Sequence, residues 1–214
     1  MKHFDHSGTS LRCAMLVLAT ALLGACSGVG IVASSDPMVK LNEAEELFRR
    51  QDRPLAAERL ILEAMEIYRL QGNARGLGNA NREYADLLRS TAVVGKWQKH
   101  YQDHGFLDRS VNYENRFEKS TEYYEKALAY YTEAEKKVRP SEQWDDLTNL
   151  YFNMAWTASQ LGHTSRSCAY YDQSLSAYEQ NMARHPGVKP YAGSGAFADM
   201  IRTSKKRLGC PSSL

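Results

Sequence analysis

The chain has 214 residues, 43% hydrophobic and 24% charged, with 27 Lys and Arg set against 25 Asp and Glu. A charge so close to balance gives no sign of a nucleic-acid binder. Thirteen tyrosines with few glycines and prolines suit a helical protein, and the length allows one domain with a sizeable core.

The first 25 residues divide as an export signal does: Lys2 and Arg12 in a polar lead, an apolar stretch from Cys13 to Leu23, then small residues before Cys26. The apolar stretch falls short of the roughly 20 residues that span a bilayer, so it predicts a cleaved signal and no retained anchor. Leu23-Gly24-Ala25-Cys26 resembles the lipobox of bacterial lipoproteins, in which the cysteine sulfur receives diacylglycerol and the multiply acylated cysteine carries fatty acids such as palmitate. An ordinary secretory signal followed by a chance cysteine is the alternative. The resemblance implies cleavage before Cys26 and a lipid-anchored chain in the cell envelope, since each buried CH₂ of a lipid contributes about 0.8 kcal/mol. Ser27, with no Asp in its place, implies delivery to the outer membrane, facing the periplasm.

The remaining 189 residues begin at Cys26, and GVGIVASSDP, from Gly28 to Pro37, supplies small and polar residues that predict a flexible tether over 26–37. Helical spacing then takes over through 38–214. Leu41, Ala44, Leu47 and Phe48 recur at three and four residues, and after Asp52-Arg53-Pro54 the pattern resumes in Ala57, Leu60, Ile61, Ala64, Met65 and Tyr68. Pro54 suits a first helical turn. Gly72-Asn73 ends this run, and a third helix is expected from about Arg75 to Thr91 with Leu77, Ala80, Tyr84, Leu87 and Leu88 on one face. Periodicity fails over 93–112, which reads as a long connection or an irregular insertion. A fourth helix is expected at about 113–137, a fifth at 142–161 capped by Ser141, a sixth at 164–183 and a last at 194–208, separated by Pro140, Gly162 and the turn residues around His185-Pro186-Gly187 and Lys189-Pro190. No strand-like alternation of useful length occurs, so the expected class is all-α.

Residues 148–181 resemble the tetratricopeptide repeat, a helix-turn-helix unit of about 34 residues, through Tyr151, Met154, Ala155, Ala158, Gly162, Ser167, Tyr171, Ser174 and Leu175. A second copy covers 38–71 through Leu41, Ala44, Phe48, Ala57, Ile61, Ala64 and Met65. A middle copy needs 93–112 looped out between Leu77, Ala80, Tyr84 and Ser120, Tyr124, Ala127, Leu128. The match is degenerate: prolines are missing at repeat ends, and Glu45 and Asn81 stand where glycine is usual. An ordinary antiparallel bundle is the alternative. The resemblance implies an α-solenoid of about three repeats, with the last helix as a cap.

In that family the first helices of successive repeats line a concave groove for peptide segments or partner helices. Carried over, the groove face comprises Glu43, Glu46, Arg49 and Arg50; Arg75, Asn79 and Arg82; and Asn149, Phe152, Asn153, Trp156 and Gln160. Cations and amides suit a carboxylate or an extended backbone, and exposed Phe152 and Trp156 suit binding hot spots. A solvated charged face over two core aromatics is the competing reading. The implied partners are another envelope protein or peptide and, through lipid, the membrane, with no cofactor and no nucleic acid.

Of the four cysteines, Cys13 leaves with the signal and Cys26 takes lipid, which pairs Cys168 with Cys210 in an oxidising compartment, unless the two are separate buried thiols. His100 and His104, with Asp103 beside them, share a helical face if their segment is helical, but two histidines make no metal site. The same segment's Trp97, Tyr101 and Phe106 are expected to pack on the repeats or meet a partner. Arg184, Lys189, Arg202, Lys205, Lys206 and Arg207 against Asp199 give a basic C-terminal stretch, suited to anionic lipid, an acidic partner or simple solvation.

The sequence lacks a G-x-x-x-x-G-K phosphate loop, G-x-S-x-G, H-E-x-x-H and C-x-x-C. Glu45-Glu46 and Asp145-Asp146 are adjacent on their helices and point apart. The expectation is therefore a non-enzymatic scaffold assisting an outer-membrane, pilus or secretion complex. The alternative is an envelope enzyme such as a wall hydrolase with its site in 93–112.

Overall fold

The computed structural model describes residues 33–138, 144–185 and 195–211, and helices carry most of them. The expected signal, Cys26, most of the expected tether, the expected cap Ser141 and the expected turn at 186–190 lie outside the described residues. Among those described there is no strand, and no helix is long and apolar enough to cross a membrane.

Helix α1 (Pro37–Arg49) starts where Asp36 accepts the Met38 N–H at 2.8 Å and Pro37 takes the first helical position. Pro37, expected as the tether's end, is thus buried helix: its missing N–H costs nothing there and its fixed φ favours the turn. Asp52 closes the next loop with φ +56°, and α2 (Pro54–Leu70) again opens on proline. Gly72 (φ +61°) then allows the Asn73 N–H to bond the Tyr68 carbonyl at 3.0 Å. Asn73 also caps α3 (Ala74–Arg89) by accepting from the Gly76 N–H.

The segment 93–112 is folded and not irregular. Ser90 caps a single turn, α4 (Thr91–Val94), which leads to α5 (Gln98–His104). Tyr101, Phe106 and Val111 are buried, and the Tyr101 and Phe106 rings stack 4.2 Å apart. Trp97 Nε1 donates to the Asp52 carbonyl at 2.8 Å. Asn112 and Asn115 exchange reciprocal bonds of 2.8 Å, which delays the start of α6 (Arg116–Glu135) beyond the expected residue 113.

Then come α7 (Trp144–Gln160), α8 (Thr164–Arg184) and α9 (Gly195–Leu208), with Gly162 at φ +72° turning the chain between α7 and α8. The packing forms antiparallel pairs α1/α2, α3/α6 and α7/α8. Small residues set their approach. Buried Ser120 donates to the Ala85 carbonyl at 3.0 Å, and Ser167 and Ser174 donate to the Ala155 and Thr148 carbonyls at 2.8 Å. In α3, a Cβ on Gly76 would fall 2.1 Å from the Tyr68 ring and one on Gly78 2.5 Å from the Tyr131 ring, so these glycines let α2 and α6 close on α3.

Helix α9 covers the last pair. Ile201 is fully buried with Ala155 and Tyr171, Lys205 bonds Asp172, and Cys168 is disulfide-bonded to Cys210 with a Cα separation of 5.6 Å. The basic C-terminal stretch is therefore smaller than its count suggests, since Lys205 is buried and Arg202 pairs with Asp199 at 2.8 Å.

Candidate functional site

The first helix of each pair meets the first helix of the next through polar side chains. Arg49 Nη2 on α1 reaches Asp86 Oδ2 on α3 at 3.2 Å, Arg75 on α3 bonds Asp146 on α7, and Asn153 Nδ2 on α7 donates to Asn79 Oδ1 on α3 at 3.2 Å. One face of the molecule thus consists of α1, α3 and α7 joined in that order.

Its centre is α3, where Asn79, Arg82, Glu83 and Asp86 fall at three- and four-residue spacings on one side of the helix. Arg82 bonds Glu83, and its Nη1 lies 3.3 Å from Asp86 Oδ2. Asp86 also accepts from Tyr124 of α6, and Asn79 Oδ1 accepts the Tyr131 hydroxyl at 2.9 Å. Glu83 is 3% exposed. Burial pushes its carboxyl up to about 7, the neighbouring Arg82 pulls it back, and the Asp86 and Glu45 charges add to the rise. Burial works against the Arg82 charge most strongly, yet the Glu83, Tyr131 and Asp86 oxygens outweigh it and hold the guanidinium above its usual range. Arg82 Nε, Glu83 Oε2 and the indole Nε1 of Trp156 are buried and have no hydrogen-bond partner among the described residues.

The residues expected to line a groove divide into three groups. Arg49, Arg50 and Asn149 are exposed, and Glu43, Glu46, Arg75, Asn153, Trp156 and Gln160 are half-buried on or beside this face. Asn79 is internal, 8% exposed, and spends its carbonyl on Tyr131 and Asn153, while Arg82 is half-buried, its side chain 18% exposed, and bonds Glu83 and Asp86. Phe152 is not an exposed anchor. It packs 6.0 Å from the Tyr171 ring and 5.6 Å from Phe197 of the covering helix α9. The cations are also matched by acids, since Arg49 meets Glu45 and Asp86, Arg50 meets Glu46, and Arg75 meets Asp146. The face is therefore a neutral polar mosaic around Trp156, which suits backbone and amide groups better than an isolated carboxylate.

Glu83, Asp86 and Tyr131 were missed in the sequence, and Tyr124 was expected only as a repeat-packing residue. A polar stripe at helical spacing within an otherwise apolar α3 is the signal that exposes the first two; the tyrosines become visible only once α6 lies against α3.

The 93–112 segment holds a second buried acid site. Glu58, 1% exposed on α2, accepts the Leu107 N–H at 2.7 Å and the Tyr84 hydroxyl at 3.0 Å through Oε1. Burial raises its carboxyl to about 7 against those two bonds. The His100 and His104 rings lie 4.7 Å apart, and burial, then the second imidazole, lowers His100. No group of three His, Cys, Asp or Glu among the described residues is placed to hold a metal ion.

No family model, no curated protein and no solved structure matches this chain.

Proposed function

We propose that this protein is a lipid-tethered scaffold of the bacterial envelope, cut before Cys26, whose tetratricopeptide-like helix pairs bind a segment of another envelope protein. The lipobox-like Leu23-Gly24-Ala25-Cys26 supports the tether. The observation that carries the binding reading is the continuous face of α1, α3 and α7, with Arg49 on α1 at one side and Asn149, half-buried Trp156 and Gln160 on α7 at the other. A half-buried tryptophan ring on the helix that also presents the exposed Asn149 amide, with the Arg49 guanidinium across the face, fits a hot spot for an extended peptide backbone. Such a partner belongs to an outer-membrane, pilus or secretion assembly, the settings in which lipid-anchored repeat proteins of this kind act.

The test replaces Arg49, which also touches Asp86, and half-buried Trp156, and leaves Asn79, Arg82 and Glu83 in place. Envelope proteins cross-linked in the cell to wild type are compared with those captured by an Arg49→Glu, Trp156→Ala variant. Recovery of the specific partner should fall at least tenfold while helicity and the disulfide are retained. An unchanged partner set on a folded variant sinks the reading.

A further inference from the structure

The chain enters its folded part at one end of the first helix pair, and that end is apolar. Met38 is 42% exposed and Val39 37%, in the first turn of α1; Leu70, the last residue of α2, is 71% exposed. These belong to the same end because α1 and α2 are antiparallel. Lys40 Nζ bonds Glu63 Oε2 at 2.6 Å, and the Tyr68 phenol feels the Asp36 and Arg75 charges. Half of the large apolar side chains exposed among the described residues are these three; Leu107 and Phe117 lie at the opposite end, beside the starts of α2 and α6.

We propose that the end carrying Met38, Val39 and Leu70 rests on the lipid surface that holds Cys26. The inference depends on the lipid tether proposed above. Cys26 precedes Asp36 by ten residues, which reach at most about 36 Å when fully extended. Helix α2, with 17 residues, is about 25 Å long, and α8, with 21, about 31 Å. Turning the opposite end to the lipid would therefore consume nearly the whole reach of the tether, whereas the entry end needs none of it. The contact is apolar: beside Met38, Val39 and Leu70 on this helix pair, Lys40 is held by Glu63 and Arg69 by Glu66, both at 2.6 Å, while exposed Lys136 belongs to the end of α6. It leaves Leu107, Phe117 and the folded 93–112 segment pointing away from the membrane.

The mature acylated chain offers a clean test, because Cys26 carries lipid and Cys168 is bonded to Cys210, so one introduced cysteine is labelled alone. A fluorophore on Met38→Cys, Leu70→Cys or Phe117→Cys is read in phosphatidylethanolamine vesicles doped with nitroxide lipid, with and without phosphatidylglycerol. Quenching should be at least twofold stronger at positions 38 and 70 than at 117, and unchanged by the anionic lipid. Equal quenching at all three positions, or quenching that needs phosphatidylglycerol, on protein that still floats with the vesicles overturns the inference and leaves the tether standing. Protein that fails to float removes the tether, and this inference with it.

Discussion

Glu58 and Leu107 are 49 residues apart, and a 2.7 Å hydrogen bond from the Leu107 backbone to the Glu58 carboxylate joins them. That bond fixes the 93–112 segment to the first helix pair, and it does so with an acid whose other oxygen is buried and unpartnered.

Stability should therefore depend on pH in a stated direction. Glu58 rises from 4.5 to about 7 on folding, chiefly through burial, and Glu83 moves the same way. Between these values the folded chain keeps protons that the unfolded chain has released. The contribution is complete below about 4.5 and is lost as pH rises through about 7. The unfolding midpoint should be higher at pH 5 than at pH 8. Glu58→Gln keeps an acceptor for Leu107 and mimics the neutral acid, so it should flatten about half of this slope and gain roughly 3 kcal/mol at pH 8. Thermal unfolding across this range decides it, and a slope identical to wild type rejects the role given to Glu58.

Gly78→Ala should destabilise although alanine is the better helix former. The propensity gain is about 1 kcal/mol. The added Cβ would meet the ring of fully buried Tyr131 at 2.5 Å, a clash the packed α3/α6 pair relieves only by separating. Overpacking of this kind costs about 1 to 3 kcal/mol. Urea unfolding should show a net loss near 1 kcal/mol or more, and a variant as stable as wild type contradicts the close approach described here.

Reducing the Cys168–Cys210 bond should loosen one region and spare the rest. The bond spans 42 residues and contributes roughly 3 to 4 kcal/mol on the chain-entropy estimate. Ile201 and Phe197 still pack on the last pair without it, so α9 should stay partly docked. Hydrogen exchange in a Cys168→Ser, Cys210→Ser protein should rise across α9 and the start of α8 and stay unchanged in α1 to α3. Uniform loss of protection counts against a local role.

The long helices were legible because each buries a stripe: Leu41, Ala44, Leu47 and Phe48 all became core, and Gly72 and Gly162 took the left-handed backbone that their position at helix ends suggests. The 93–112 segment was not legible, since its order comes from distant partners. Trp97 bonds Asp52 and Leu107 bonds Glu58, and no local period encodes either. The site fared similarly. Helical spacing placed Asn153 and Trp156 on the correct helix, but only α9, over 40 residues later, turns Phe152 inward, and only Tyr131 makes Asn79 internal.

The central claim is that a folded helical scaffold hangs from lipid on Cys26, and the intact mass of detergent-extracted mature protein tests it most directly. The account predicts a chain lacking residues 1–25, with acyl mass on Cys26 and the Cys168–Cys210 pair oxidised, and retention of uncut precursor in a Cys26→Ser variant. A mature chain beginning elsewhere, or one carrying no lipid at Cys26, would contradict it.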